Sequence, residues 1–187
     1  LLLENGAAVN QARTDDGAAP LFVAAQKGHV EVVQVLLAYG AAVNQARTED
    51  GATPLLMAAQ EGHDEVVRVL LDNGASVNQA TTDDGSTPLW MAANAGHVAV
   101  VQVLLDNGAA VNRARTGDGT TPFVVADENG HVEVVQTLLN NGANIPDGIS
   151  WIQRWLSHTI GRTVVGSADE FGDDDDDAHF HFIPLHI

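Results

Sequence analysis

Four histidines, His29, His63, His97 and His131, recur every 34 residues, each preceded by Gly. Histidine is a frequent metal ligand and the side chain that titrates nearest neutral pH, so such a set invites a metal or proton-transfer reading. The spacing argues against it. One histidine per layer puts neighbours about 10 Å apart if the layers pack as helices do, whereas shared coordination needs ligands about 2 Å from one ion. Hydrogen bonding at the turn between two helices is the expected role. Asp15-Asp16, Glu49-Asp50 and Asp83-Asp84 are paired carboxylates, the residue type of general acid–base catalysis. They stand beside Gly on exposed turns, without the pocket that moves a carboxyl pKa toward neutrality. The chain has no cysteine, which excludes disulfides and thiolate metal sites. Nucleotide-binding Gly loops, His-Glu-x-x-His and Gly-x-Ser-x-Gly are absent. His179 and His181 follow the run Asp173 to Asp177. Two ligands without a scaffold make a poor metal site, and the acidic run lacks the central Gly and final Glu of a calcium loop. The sequence therefore reads as non-catalytic, with no metal and no cofactor.

The histidines belong to a larger period. Gly17, Gly51, Gly85 and Gly119 share the 34-residue spacing, as do Pro20, Pro54, Pro88 and Pro122. Self-similarity at that length marks a stack of repeated units. In the third unit an Asp-Gly turn precedes Thr87, placed to cap a helix whose first residue is Pro88. That helix is predicted over about 88–95, stopping at Gly96. A second is predicted over about 99–106, with Val100, Val101, Leu104 and Leu105 at helical spacing. Ala109 to Asn112 reads as extended, leading into the next turn. Thr53 and Thr121 repeat the cap, while Ala19 replaces it in the first unit at a cost of roughly 1 kcal/mol. Such short helices are marginal alone, so stacking must supply the stability.

The pattern Thr-Pro-Leu-x-x-Ala-Ala-x-x-Gly-His-x-x-Val-Val-x-x-Leu-Leu-x-x-Gly-Ala-x-Val-Asn resembles the ankyrin repeat. The resemblance implies an all-α repeat solenoid: stacked helix-turn-helix units with β-hairpin-like fingers. Three departures stand out. Each unit is one residue longer than the family's 33. The usual His after Thr-Pro-Leu is replaced by Phe22, Leu56, Trp90 or Val124. Asp127 takes the place of the second Ala. By this reading residues 1–6 are the end of a truncated preceding repeat and residues 7–145 hold four repeats. Residues 146–165 form a C-terminal capping helix, with an amphipathic partner-binding helix as the other reading. Residues 166–187 form an acidic, histidine-containing disordered tail.

The resemblance also implies function: a non-catalytic protein–protein interaction scaffold whose concave face and finger tips bind a partner. Recognition then falls to the positions that differ between copies. These are Asp15, Asp16, Gln26 and Lys27 in the first copy, and Glu49, Asp50, Gln60 and Glu61 in the second. The third offers Asp83, Asp84, Ser86 and Asn94, and the fourth Asp118, Thr120, Glu128 and Asn129. Trp90 has two readings, an interface anchor or a filler in the column of Phe22 and Leu56. A formal charge of −17 disfavours nucleic acid and anionic lipid and favours a protein with a basic surface. No apolar run approaches the ~20 residues of a membrane helix. A monomer in the cell interior, most simply the cytoplasm, is expected. Two rivals stand beside the scaffold: a regulatory or targeting segment of a larger enzyme, such as a kinase or ubiquitin ligase, and a spacer without a specific partner.

Overall fold

The computed structural model describes residues 4–145. The expected capping helix and acidic tail lie outside them. Eight helices occur among the described residues, in four pairs: α1 (Pro20–Gln26) with α2 (Val30–Ala38), α3 (Pro54–Glu61) with α4 (Asp64–Asp72), α5 (Pro88–Ala95) with α6 (Val98–Asp106), and α7 (Pro122–Glu128) with α8 (Val132–Asn140). First helix packs on first helix and second on second down the stack, giving the all-α repeat architecture.

Local chemistry sets each boundary. The hydroxyls of Thr53, Thr87 and Thr121 accept from the N–H groups of Leu56, Trp90 and Val124, at 3.2, 3.1 and 3.3 Å. Ala19 makes no such bond, as its side chain dictates. Gly96 closes α5 at φ 79°, and the Cβ of any other residue there would lie 2.7 Å from the His131 ring. Steric room and left-handed backbone thus both require Gly.

Val66, Val67, Leu70, Val101, Leu104, Val134 and Leu138 are all fully buried. At about 1.5–3 kcal/mol for each such side chain, burial between layers far outweighs what these short helices lack by themselves. The fingers differ from the expected form in one respect. Arg47 N–H donates to Ala52 O at 2.8 Å and Thr81 N–H to Ser86 O at 2.9 Å, closing each finger as a hairpin would. Yet no strand occurs among the described residues, because a single closing pair cannot make a ladder. Val111 and Asn112 are likewise a turn and not extended chain, closed by Arg113 N–H on Ala110 O at 3.1 Å.

Candidate functional site

The recognition residues expected from sequence fall into two rows, at opposite ends of the first helices. A helix of seven or eight residues separates the rows by about 12 Å.

The finger row is built from pairs of acids with different duties. The second acid of each of the three pairs, and Asp118 in the fourth finger where Gly117 precedes it, serves its own turn. Asp16, Asp50, Asp84 and Asp118 each accept, at 3.0 Å, the N–H two residues on: Ala18, Ala52, Ser86 and Thr120. Neighbouring fingers are joined by Thr82 N–H on Asp50 O at 2.8 Å and Thr116 N–H on Asp84 O at 2.9 Å. The arginines are drawn into the same work. Arg13 Nε donates to Asp15 at 3.1 Å and Arg47 Nε to Asp50 at 3.0 Å. Arg115 pairs with Asp118 and reaches Asp84 of the preceding finger at 3.1 Å. The hydrogen bond from Arg13, helped by the Asp16 N–H, holds the Asp15 carboxyl down at about 2. Arg47 lowers Asp50, and Arg115 with Thr120 lowers Asp118. These are carboxylates committed to ionised pairs, the opposite of a catalytic acid. Exposed Glu49 and Asp83 make no direct ion pair with a guanidinium, although Glu49 lies close enough to raise the Arg47 pKa and Asp83 accepts the Asp84 N–H at 2.7 Å.

The second row lies where the first helices end. His63, His97 and His131 each donate from Nε2 to the carbonyl of Gln26, Gln60 or Asn94, at 3.1, 3.0 and 3.0 Å. A carbonyl can only accept, so Nε2 carries the proton. The expected hydrogen bond is therefore present, but it runs to the preceding repeat, tying layer to layer. Asn129 Nδ2 adds bonds to Asn94 O and Oδ1 at 3.2 and 3.1 Å. Lys27, Glu61, Asn94, Glu128 and Asn129 are exposed, with Gln26 and Gln60 half-buried.

Two sequence-chosen residues lie inside. Ser86 is fully buried; its hydroxyl makes no hydrogen bond of normal geometry, though it helps to hold the Asp84 carboxyl in its ionised form. Trp90 is 6% exposed. Arg115 lies 4.4 Å above its ring, and its indole N–H donates to Thr120 Oγ1 at 3.3 Å. Arg47 covers Phe22 in the same way at 5.2 Å, each contact worth about 0.5–2 kcal/mol. Both rings are buried, each with an arginine on its face.

Two structural roles escaped the sequence reading. Asn44 Oδ1 accepts from Ser76 N–H at 2.8 Å while its Nδ2 donates to Gly74 O at 3.2 Å. Asn10, Asn78 and Asn112 make the same double bond onto the following repeat. Their signal was the unbroken Val-Asn at the 34-residue period. The arginine roofs also have a signal, a covariation between copies at an offset of 25 residues. Phe22 is matched by Arg47 and Trp90 by Arg115, whereas Leu56 is matched by Thr81.

Among the described residues no helix is long and apolar enough to cross a membrane, and no group of three or more acids and histidines is placed to hold a metal. A family model described as ankyrin repeats, in three copies, matches residues 1–81 and again 78–147. No curated protein matches the chain.

Proposed function

The chain belongs to the ankyrin repeat family, whose repeats generally mediate protein–protein interaction and are typically non-catalytic, and from that premise we propose that it is a monomeric binding scaffold for a protein with a basic surface. One observation carries the charge preference: the guanidinium groups of Arg13, Arg47 and Arg115 are engaged by acids of the fingers themselves. Their positive charge is neutralised within the stack. Glu49 and Asp83 at the tips, and Glu61 and Glu128 at the helix ends, face solvent and set the sign of the field that an approaching partner meets. Lys27 stands against them at the first repeat only.

Glu49, Glu61 and Glu128 support no backbone turn, so they can be reversed without disturbing the stack. Asp50 and Asp84 cannot, because each holds a finger amide. The test compares proteins retained on the immobilised chain with those retained by the Glu49→Lys, Glu61→Lys, Glu128→Lys variant. Loss of specific partners in the variant, with unchanged circular dichroism, supports the reading. Retention of the same partners by both removes it.

A further inference from the structure

The joints between neighbouring fingers are not tied alike. With the fingers ahead of α1, α3, α5 and α7 counted first to fourth, the outer two joints carry side-chain ties that the middle joint lacks. Arg47 of the second finger lies over Phe22 of the first repeat, and Arg115 of the fourth finger lies over Trp90 of the third repeat. The third finger has Thr81 at the arginine position, and the second repeat has Leu56 in the aromatic column. Thr81 spends its hydroxyl inside its own finger, donating to Asp84 Oδ1 at 2.7 Å and accepting Ser86 N–H at 2.9 Å.

A second position repeats the pattern. Gln45 Nε2 donates across the first joint to Asn10 O at 3.2 Å, and Arg113 donates across the third to Asn78 O at 2.7 Å. Gln79, their counterpart, makes no side-chain hydrogen bond among the described residues. Further ties fall at the outer joints too. Thr48 Oγ1 donates to Asp16 O at 3.2 Å across the first. Across the third, Arg115 reaches Asp84 at 3.1 Å and the Trp90 indole N–H reaches Thr120 at 3.3 Å. Beyond the asparagine and histidine bonds common to all three joints, the second and third fingers share one hydrogen bond among the described residues, Thr82 N–H on Asp50 O at 2.8 Å. A joint closed by one backbone bond opens more readily than one closed also by charge-assisted bonds and an arginine on an aromatic face. Leu55, Leu56, Leu89 and Trp90 are buried, so the helices beneath stay packed and the opening is confined to the fingers.

We infer that the finger row carries a hinge between the second and third fingers. The first and second fingers form one block and the third and fourth another, with Arg47 and Arg115 as the locks. Exposed Glu49 and Asp83 stand on opposite sides of the hinge, so its opening changes the distance between them. The inference rests on the uneven ties alone and does not depend on what these acids bind.

Two equivalent amides report on it, because Thr82 N–H crosses the middle joint to Asp50 O and Thr116 N–H crosses the third to Asp84 O. Amide exchange, corrected for intrinsic rates, is measured for both in the original chain, in Leu56→Trp with Thr81→Arg, and in Arg115→Thr. Thr82 is expected to be protected at least tenfold less than Thr116 in the original chain. Installing the lock should raise Thr82 protection at least tenfold, and Arg115→Thr should lower Thr116 at least tenfold while leaving Thr82 unchanged. Arg115→Thr alters no core residue, so it decides the question even where the added tryptophan disturbs α3. Equal protection of the two amides in the original chain, or a Thr116 amide unmoved by Arg115→Thr, overturns the inference.

Discussion

At the scale of single residues, equivalent positions in four copies act as internal controls. Ser86 is buried with a hydroxyl that makes no hydrogen bond of normal geometry, and its counterparts Ala18 and Ala52 are equally buried without one. Desolvating an unsatisfied hydroxyl costs about 1–3 kcal/mol, so Ser86→Ala is expected to raise the urea midpoint and not lower it. Ala19 offers the converse. It is 2% exposed at a position where Thr53 and Thr87 fit at 1 and 2%, so the site accommodates the larger side chain. Ala19→Thr should add about 1 kcal/mol by capping α1, seen as a higher midpoint with slower amide exchange in its first turn.

At the scale of elements, the helices were legible in the sequence and the joints between them were not. Thr-Pro starts, Gly stops and a Val/Leu stripe are local signals, and they place α5 over 88–95 as expected. The extended reading failed at Val111 and Asn112, which turn while the Asn112 side chain reaches the next repeat, where Oδ1 takes Asn144 N–H at 2.7 Å. That partner is 32 residues away, beyond any local window. The finger acids show the same limit. Asp50 and Glu49 look alike as neighbouring carboxylates, yet one is structural because Arg47 folds back on it. The joints carry their own prediction. Asn78→Ala removes both bonds of one staple, to Ala110 N–H and Gly108 O. It should cost about 1–3 kcal/mol, at roughly 1 kcal/mol per bond. Exchange should quicken first at Gly108–Ala110 and not in the outer helices.

At the scale of the whole molecule, charge couples stability to pH. Asp15, Asp50 and Asp118 have folded pKa values below the model-peptide 3.8. Their pairing with arginine is fully present above that value and is lost as pH falls through the folded values, near 2 for Asp15. Stability should therefore decline on acidification below about pH 4. Asp127 has the opposite sign. Burial raises its pKa, Glu128 assisting, so the charged form is disfavoured in the folded state and Asp127→Ala should stabilise at pH 7. That advantage should shrink as acid protonates the wild-type carboxyl, and paired urea titrations at pH 7 and pH 4 measure it. In binding, the excess of acids over bases makes electrostatic steering the main expectation, with Arg13, Arg47 and Arg115 each balanced by an acid of the fingers.

The most direct measurement is the salt dependence of affinity for a partner recovered on the wild-type chain, repeated with Glu49, Glu61 and Glu128 reversed to lysine. Acidic steering predicts that raising salt from about 50 to about 500 mM weakens wild-type binding by about tenfold or more, chiefly through the association rate. The reversed variant should bind more weakly at low salt and lose that dependence. Equal affinity of the two proteins at both salt concentrations would contradict recognition through the acidic finger tips and helix ends.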